Sequence, residues 1–408
     1  MYRSLLGANA WTAALFWFCA AFGMLAAVST VFAVLYHRLI YARFRRPRYD
    51  PSFRPRCSII LPCKGADASL ESNLEAFLAL EYPSYEILFA VESENDPAAA
   101  VIRRVIDLAP DKCALVVAGH ATACAQKNHN QLAALEKTHD PEVYVFADAD
   151  IRPSAGWLSE LVLPLSNPKN VAATGFRWLY SSKGRVGEHV HAFQNNITYV
   201  AFSAASAVSN LAIVWGGSMA IRKSDFEELG VAGRWAETVV DDISLSQIIM
   251  RSGKQTVLVP PCVLHTDDAI ETFMQGVRWF ERQTMFLKYY HTKTWSLLAM
   301  PVLSLVLLCL CWLPAALLIA AASPASFLGL GGASPLLVIA GATIAVLLFP
   351  LIGPNPTYGM FLLCTPLSVF STVLATVRTI FTNTVTWSNI RYRLRFGGRV
   401  ASVERLPA

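Results

Sequence analysis

Apolar residues fall along this chain in two ways. Between about Arg56 and His265 they form short runs separated by segments with helical spacing. Cys57-Ser-Ile-Ile-Leu61 predicts a buried strand that stops at Pro62, and Leu70 to Leu80 predicts a helix with Leu74, Phe77, Leu78 and Ala79 near one face. The alternation continues with a strand over Tyr85 to Val91, a helix over Ala98 to Leu108, and a strand over Ala114 to Ala118. A helix over Asn128 to Lys137 then leads to a strand over Val143 to Ala147, which runs into Asp148-Ala-Asp150. Strands alternating with helices predict an α/β domain with a mostly parallel sheet and helices on both faces.

The second pattern is long. Trp11 to Tyr36 holds no charged residue and exceeds the ~20 residues that cross a bilayer. It is also too long for the apolar core of a cleaved leader. Three more apolar stretches cover Ser296 to Ala322, Pro335 to Leu351 and Tyr358 to Ile380. Arg38, Arg43, Arg45, Arg46, Arg48, Arg54 and Arg56 follow the first run, against Arg3 alone before it. Cytosolic flanks carry such an excess, so the N-terminus is expected outside and the central domain in the cytosol. Were all three later stretches to cross, the tail with Arg391, Arg393, Arg395 and Arg399 would end outside, against the same rule. Tyr358 to Ile380, interrupted by Pro366 and Arg378, is therefore expected to lie in the interface or re-enter.

Composition sharpens this division. Of 408 residues, 54% are hydrophobic and 15% charged, below the roughly 25% charged of an average soluble domain. The deficit sits at the ends. A net charge of +5, supplied largely by the flanking arginines, does not suggest nucleic acid. The nine cysteines show no CxxC pair or metal-ligand spacing and are expected as reduced thiols in a cytosolic setting.

Ligands of open parallel sheets bind beyond the carboxyl ends of the strands. Those ends carry Lys64, then Glu92 and Ser93, then Asp148 and Asp150. A carboxylate pair at a strand end suits Mg²⁺ or Mn²⁺ together with phosphate oxygens, although it would also serve as a polar cap. Asp241-Asp242 opens a helical pattern. Asp242 fits a general base, while Asp241 would equally cap the helix. In Gln275-Gly-Val-Arg278-Trp279, Arg278 suits paired hydrogen bonds to a diphosphate and Trp279 offers an apolar wall to an acceptor. Trp215-Gly-Gly-Ser places Gly217 where a backbone can approach a ligand, or where a simple turn needs it.

The order Lys64-Gly65, acidic strand end, Asp-x-Asp, Trp-Gly-Gly-Ser, Asp-Asp, Gln-x-x-Arg-Trp is similar to that of inverting GT-A glycosyltransferases. The chain resembles the ceramide glucosyltransferase family, glycosyltransferase family 21. Pro62-Cys-Lys-Gly-Ala-Asp67, Tyr82-Pro-Ser-Tyr-Glu-Ile-Leu88 and Asp96-Pro97-Ala98 look like its opening motif, its Y-P-x-Y-E segment and its D-P-A turn. The resemblance spans about Arg56 to Tyr290. It implies a GT-A domain flanked by transmembrane helices, a UDP-hexose donor, a lipid acceptor such as ceramide, and Mg²⁺ or Mn²⁺. By the same resemblance Asp242 is the base and Asp148 with Asp150 the metal site. Lys64, Glu92, Ser93, Lys127, Asp148, Gly217, Gln275, Arg278 and Trp279 lie toward the donor, Trp215 and Trp279 toward the acceptor. One departure is visible: Ser93 stands where the family has its first aspartate, so Glu92 or Glu94 substitutes or the donor is held differently. A hopanoid, diacylglycerol or isoprenoid phosphate acceptor is an alternative, as is a nucleotide-binding domain without catalysis, whereas a polysaccharide is disfavoured because a polymer's translocation channel needs more spanning helices than the few apolar runs here. The expected division is an anchor over residues 1–37, a basic segment over 38–55, a catalytic domain over 56–293, membrane segments over 294–387 and a basic tail over 388–408.

Overall fold

The computed structural model describes residues 49–206, 213–268, 270–293 and 358–407, with positions 295, 296 and 299. The runs over Trp11 to Tyr36 and Pro335 to Leu351, nearly all of Ser296 to Ala322, and the arginines from Arg38 to Arg48 lie outside the described residues.

Four strands come where the apolar runs predict them: β1 (Cys57–Pro62), β2 (Tyr85–Val91), β3 (Cys113–Val117) and β4 (Val143–Ala147). They alternate with α1 (Leu70–Leu78), α2 (Pro97–Leu108) and α3 (Gln126–Leu135). β1 pairs in parallel with both β2 and β4, and β2 with β3. The runs of β1, β2 and β4 are continuous rather than alternating because both faces are covered, while β3 lies at the edge and leaves Val117 exposed. Ile59, Leu61, Ile87, Phe89, Val143 and Val145 face one core with Leu74 and Phe77 of α1 and Ile102 of α2. Ile60, Leu88, Tyr144 and Phe146 face the other.

Beyond β4 the order becomes less regular. α4 (Trp157–Val162), β5 (Asn170–Tyr180), α5 (Val186–Ser206), β6 (Ser218–Arg222), α6 (Lys223–Glu228), α7 (Val231–Trp235), α8 (Asp241–Ser252) and β7 (Gln255–Asp267) complete the domain. The sheet order is β3-β2-β1-β4-β6-β5-β7. β6 runs antiparallel between β4 and β5, while β5 and β7 pair in parallel. The sheet is therefore mostly parallel, with one reversed strand, β6, next to the central β4.

α9 (Phe273–Tyr290) starts with a capping box: Thr272 Oγ1 accepts from the Gln275 amide, and Gln275 Oε1 accepts from the Thr272 amide at 2.9 Å. α10 (Tyr358–Ile380) packs along α5 and α9. Gln194 of α5 donates to Ser371 Oγ at 3.1 Å, and Arg378 pairs with Glu281 of α9 at 2.8 Å. Among the described residues no helix is long and apolar enough to cross a membrane.

The residues expected as a basic tail are folded. β8 (Thr384–Trp387), β9 (Ile390–Arg395) and β10 (Arg399–Arg405) form an antiparallel sheet whose inner face, Ile390, Tyr392 and Leu394, packs on Met285, Phe286 and Tyr289 of α9. The intervening arginines of β9 point outward.

Candidate active site

The carboxyl ends of β1, β2 and β4 converge with the start of α8 and the mid-portion of β5. At the centre is Lys127, in the first turn of α3. Its Nζ lies 2.8 Å from Asp148 Oδ1 and 3.0 Å from Asp241 Oδ2. Burial works against its charge, but Asp148, Asp241 and Asp242 outweigh that and raise its pKa well above the usual lysine value.

Asp148 and Asp150 are joined by an arginine the sequence reading did not single out. Arg177 of β5 makes two bonds to Asp150, at 2.9 and 3.1 Å, and lies 3.6 Å from Asp148. Burial pushes the Asp148 carboxyl up, yet Lys127 and Arg177 overcome it and hold it below the ordinary aspartate value. Burial likewise disfavours the Arg177 charge, and Asp150 and Asp148 more than restore it. Arg177 also lies over the Trp215 ring, 5.3 Å from its centroid. A lone charge in the apolar run Asn170–Tyr180 was the available signal.

Asp241 and Asp242 divide two tasks. Asp241, 2% exposed, does not cap α8; its Oδ2 takes Lys127 and accepts from Gln131 Nε2 at 2.9 Å. Asp242 accepts from the Gly216 amide at 3.0 Å and from its neighbour Ile243 at 2.6 Å. Burial and the adjacent Asp241 charge push its carboxyl up to about 7, with Lys127 pulling the other way. A carboxylate poised there is suited to accept a proton near neutral pH.

The glycine pair serves this arrangement. A Cβ on Gly217 would stand 2.2 Å from the Trp215 ring, and one on Gly216 would stand 2.8 Å from Asp241 Oδ2. The glycines therefore make room for Trp215 and for the acidic pair.

At the β1–β2 end, Lys64 Nζ meets Glu92 Oε2 at 3.1 Å, and the same oxygen takes Arg405 of β10 at 3.1 Å. Arg405 also donates to Gln126 Oε1 at 2.7 Å. Burial raises Glu92, but Lys64 and Arg405 outweigh it and lower its pKa. Ser93 has a turn role: its Oγ accepts from the Asn95 amide at 3.2 Å, while Asp96 caps α2 and accepts from Gly65. The expected donor wall is thus built partly from the C-terminal sheet.

The Gln-x-x-Arg-Trp residues separate in space. Gln275 spends its carbonyl oxygen on the start of α9, bonding the amides of Glu271 and Thr272. Arg278 lines a cavity between α9 and the β8–β9 hairpin. Trp279 packs edge-on against His191 of α5, with centroids 4.3 Å apart. His191 Nδ1 meets buried Asp268 at 2.7 Å, a pair 77 residues apart that no local pattern could reveal. Asn196, in a glycosylation-like triplet, is buried and bonded to both backbone groups of Leu179.

Asp148 and Asp150 fit a divalent cation in donor type, offering hard oxygen ligands that already hold one cationic group between them. Among the described residues no group of three or more His, Cys, Asp or Glu gathers as a metal cage. Two protein carboxylates with the remainder from phosphate and water is the pattern Mg²⁺ favours.

Comparison with known proteins gives the family and the fold. The sequence model of Glycosyl transferase family 21 matches residues 22–400. Ceramide glucosyltransferase 1 of Caenorhabditis elegans is 27% identical over 218 residues, 52% of this chain and 46% of that protein. Ceramide glucosyltransferase 3 of the same animal is 29% identical over 140 residues, 33% of this chain and 30% of that protein. The chain thus spans less than half the length of either. The mannosyltransferase PcManGT from Pyrobaculum calidifontis, solved in complex with GDP-Man and Mn²⁺, superposes with a TM-score of 0.55. It is 21% identical, covering 89% of this chain and 99% of that one, which bears out the GT-A-like fold.

Proposed function

Since this chain belongs to glycosyl transferase family 21, we propose that it is a hexosyltransferase moving glucose from UDP-glucose to a hydroxyl of ceramide. The observation that carries the reading is the buried cluster of Lys127, Asp148, Asp241 and Asp242, with one carboxyl raised to about 7. The acceptor oxygen attacks the anomeric carbon as its proton passes to Asp242. The bond from that carbon to the diphosphate breaks on the opposite side, and the anomeric centre inverts. Lys127 and Arg177 supply positive charge where the leaving diphosphate gathers negative charge. A divalent ion held by Asp148 and Asp150 would neutralise the rest. Asp241 keeps Lys127 in place and, by its charge, keeps Asp242 basic.

Ceramide as acceptor is supported by the Caenorhabditis elegans relatives, and a metal by the Mn²⁺ of the superposed mannosyltransferase. Trp215 and Trp279 are the apolar surfaces offered to the acceptor, and Lys64 and Glu92 the groups nearest the nucleotide end. The arginine-rich flank of the first apolar run supports a multi-pass membrane protein with its catalytic domain in the cytosol.

The test is a transfer assay with detergent-solubilised protein, Mg²⁺ or Mn²⁺, a panel of UDP-sugars, and ceramide, diacylglycerol or a hopanoid as acceptor. Glucosylceramide that disappears on adding EDTA is the expected product; transfer only to another lipid would replace ceramide. Asp242→Asn should abolish turnover, by roughly 10²-fold or more, while UDP-sugar binding stays within about twofold of the parent, the mark of a group acting on the acceptor. Near-normal turnover in that variant would remove Asp242 as the base.

A further inference from the structure

The cavity beside Arg278 is an open cleft of about 490 Å³ between α9, the end of α10 and the β8–β9 hairpin. Its charged lining is one-sided: Arg278, Arg282, Arg378 and Arg391 against the single carboxylate of Glu281. Glu281 is taken by Arg378 at 2.8 Å, and Arg391 is taken by Glu404 at 3.1 Å. Arg282 and Arg278 have no ion-pair partner among the described residues. Arg282 is half-buried, and its guanidinium lies over Trp387 of β8, 5.0 Å from the ring centroid. Burial, then the Arg177 charge, lowers it to about 10, with Asp148 opposing. Arg282 therefore stands within the electrostatic reach of the Asp148–Arg177 pair.

A guanidinium withdrawn from water without a counter-ion is costly, and its flat fork matches the oxygens of a phosphate. The remaining wall is mixed: Thr384 and Thr386 offer hydroxyls, while Met285 and Val385 offer apolar surface. Such a lining suits an anionic group attached to something less polar. We propose that this cavity is a phosphate-binding site anchored by Arg282, one turn beyond the Gln-x-x-Arg-Trp signature, with the C-terminal sheet as its second wall. The phosphate is either the diphosphate of a nucleotide entering from the Asp148 side or the headgroup of an anionic lipid. The site does not depend on sugar transfer: a chain that moved no sugar would still bind phosphate here.

The experiment titrates full-length protein in neutral detergent with inorganic pyrophosphate, and separately with dihexanoyl phosphatidylglycerol against dihexanoyl phosphatidylcholine. Arg282→Gln should weaken binding of at least one anionic probe roughly tenfold, the loss expected for one charge-assisted bond pair. Arg391→Gln, on the exposed side of β9, should weaken the same probe about threefold. Arg104→Gln, an exposed pair with Glu71 on α2, controls for net charge and should change nothing. Loss confined to pyrophosphate assigns the nucleotide, and loss confined to phosphatidylglycerol assigns the lipid. If Arg282→Gln does not fold, as judged by its thermal transition, Arg391→Gln decides. Unchanged binding of both probes, or an equal loss in Arg104→Gln, overturns the proposal.

Discussion

Asp242 links chemistry to stability through one carboxyl. Its folded pKa of about 7 stands above the unfolded value of 3.8, so the folded chain binds the proton more tightly. The stability this contributes is complete below about pH 4 and is lost as pH rises through 7. Two consequences follow in opposite directions. Catalysis by an ionised base should fade with acid, giving a kcat/KM profile with an acidic limb centred near 7; a limb near 4 would separate the titrating group from Asp242. Thermal stability of Asp242→Asn should exceed that of the parent at pH 8, with the gain shrinking toward pH 4. At this scale much of the site is legible in the sequence. Asp148 and Asp242 follow from a strand end and an acidic helix start, Lys127 from the family resemblance, and the structure brings all three together. Arg177 was legible only in principle, as a charge inside an apolar run. His191 and Asp268 were not, because nothing but the fold makes them neighbours. Gln275 carries the opposite lesson, since a residue placed by motif toward the donor is engaged in starting its own helix.

Elements show why prediction succeeded on one half of the sheet. β1, β2 and β4 are buried on both faces, so each is a mostly apolar run with a clear end, and β3 at the edge is apolar although Ala114 and Val117 are exposed. β5 and β7 break that pattern. Gly175 lies at a register shift between them, where a Cβ would run into the Cys262 carbonyl, and β7 contains Pro260 and Pro261. β9 alternates Ile390, Tyr392 and Leu394 with arginines, a period of two that was present but was read as the charge of a tail. That sheet is tied to the segment before Asp241 and Asp242 through Tyr290 of α9, whose hydroxyl accepts from the Val239 and Val240 amides at 3.2 and 3.0 Å and reaches the Gly398 carbonyl. Tyr290→Phe should strip these bonds from the segment leading into Asp241, costing about 1–3 kcal/mol in chemical unfolding. A fall in kcat larger than the rise in KM would mark displacement of Asp242; unchanged kcat would show that α8 holds it unaided. Inside the sheet, Phe146→Ala would open a hole among Phe226, Trp235 and Tyr144, for a loss of about 3–5 kcal/mol.

For the whole molecule, the second sheet matters more than its size suggests. Arg405 reaches Glu92 and Gln126, Tyr392 accepts from the Gln126 amide at 3.1 Å, and Gly398 sits against the Tyr290 ring where no side chain fits. Removing residues 384–408 should uncover Met285, Phe286 and Tyr289, abolish measurable transfer, and raise binding of a hydrophobic dye to the folded remainder. Retained activity would show that β1 to α9 suffice. The contact from Arg405 to Glu92 crosses 313 positions. On a ribosome that distance is roughly 15–60 s of elongation, during which the first strands wait for their final partner. A nascent chain therefore holds Lys127 and its acidic neighbours long before it holds Arg405, and a chain stopped before that strand would keep the Lys127 cluster but lose one cationic partner of Glu92. Synthesis of β10 thus becomes a condition for a closed β1–β2 end, imposed by nothing more than the position of one strand.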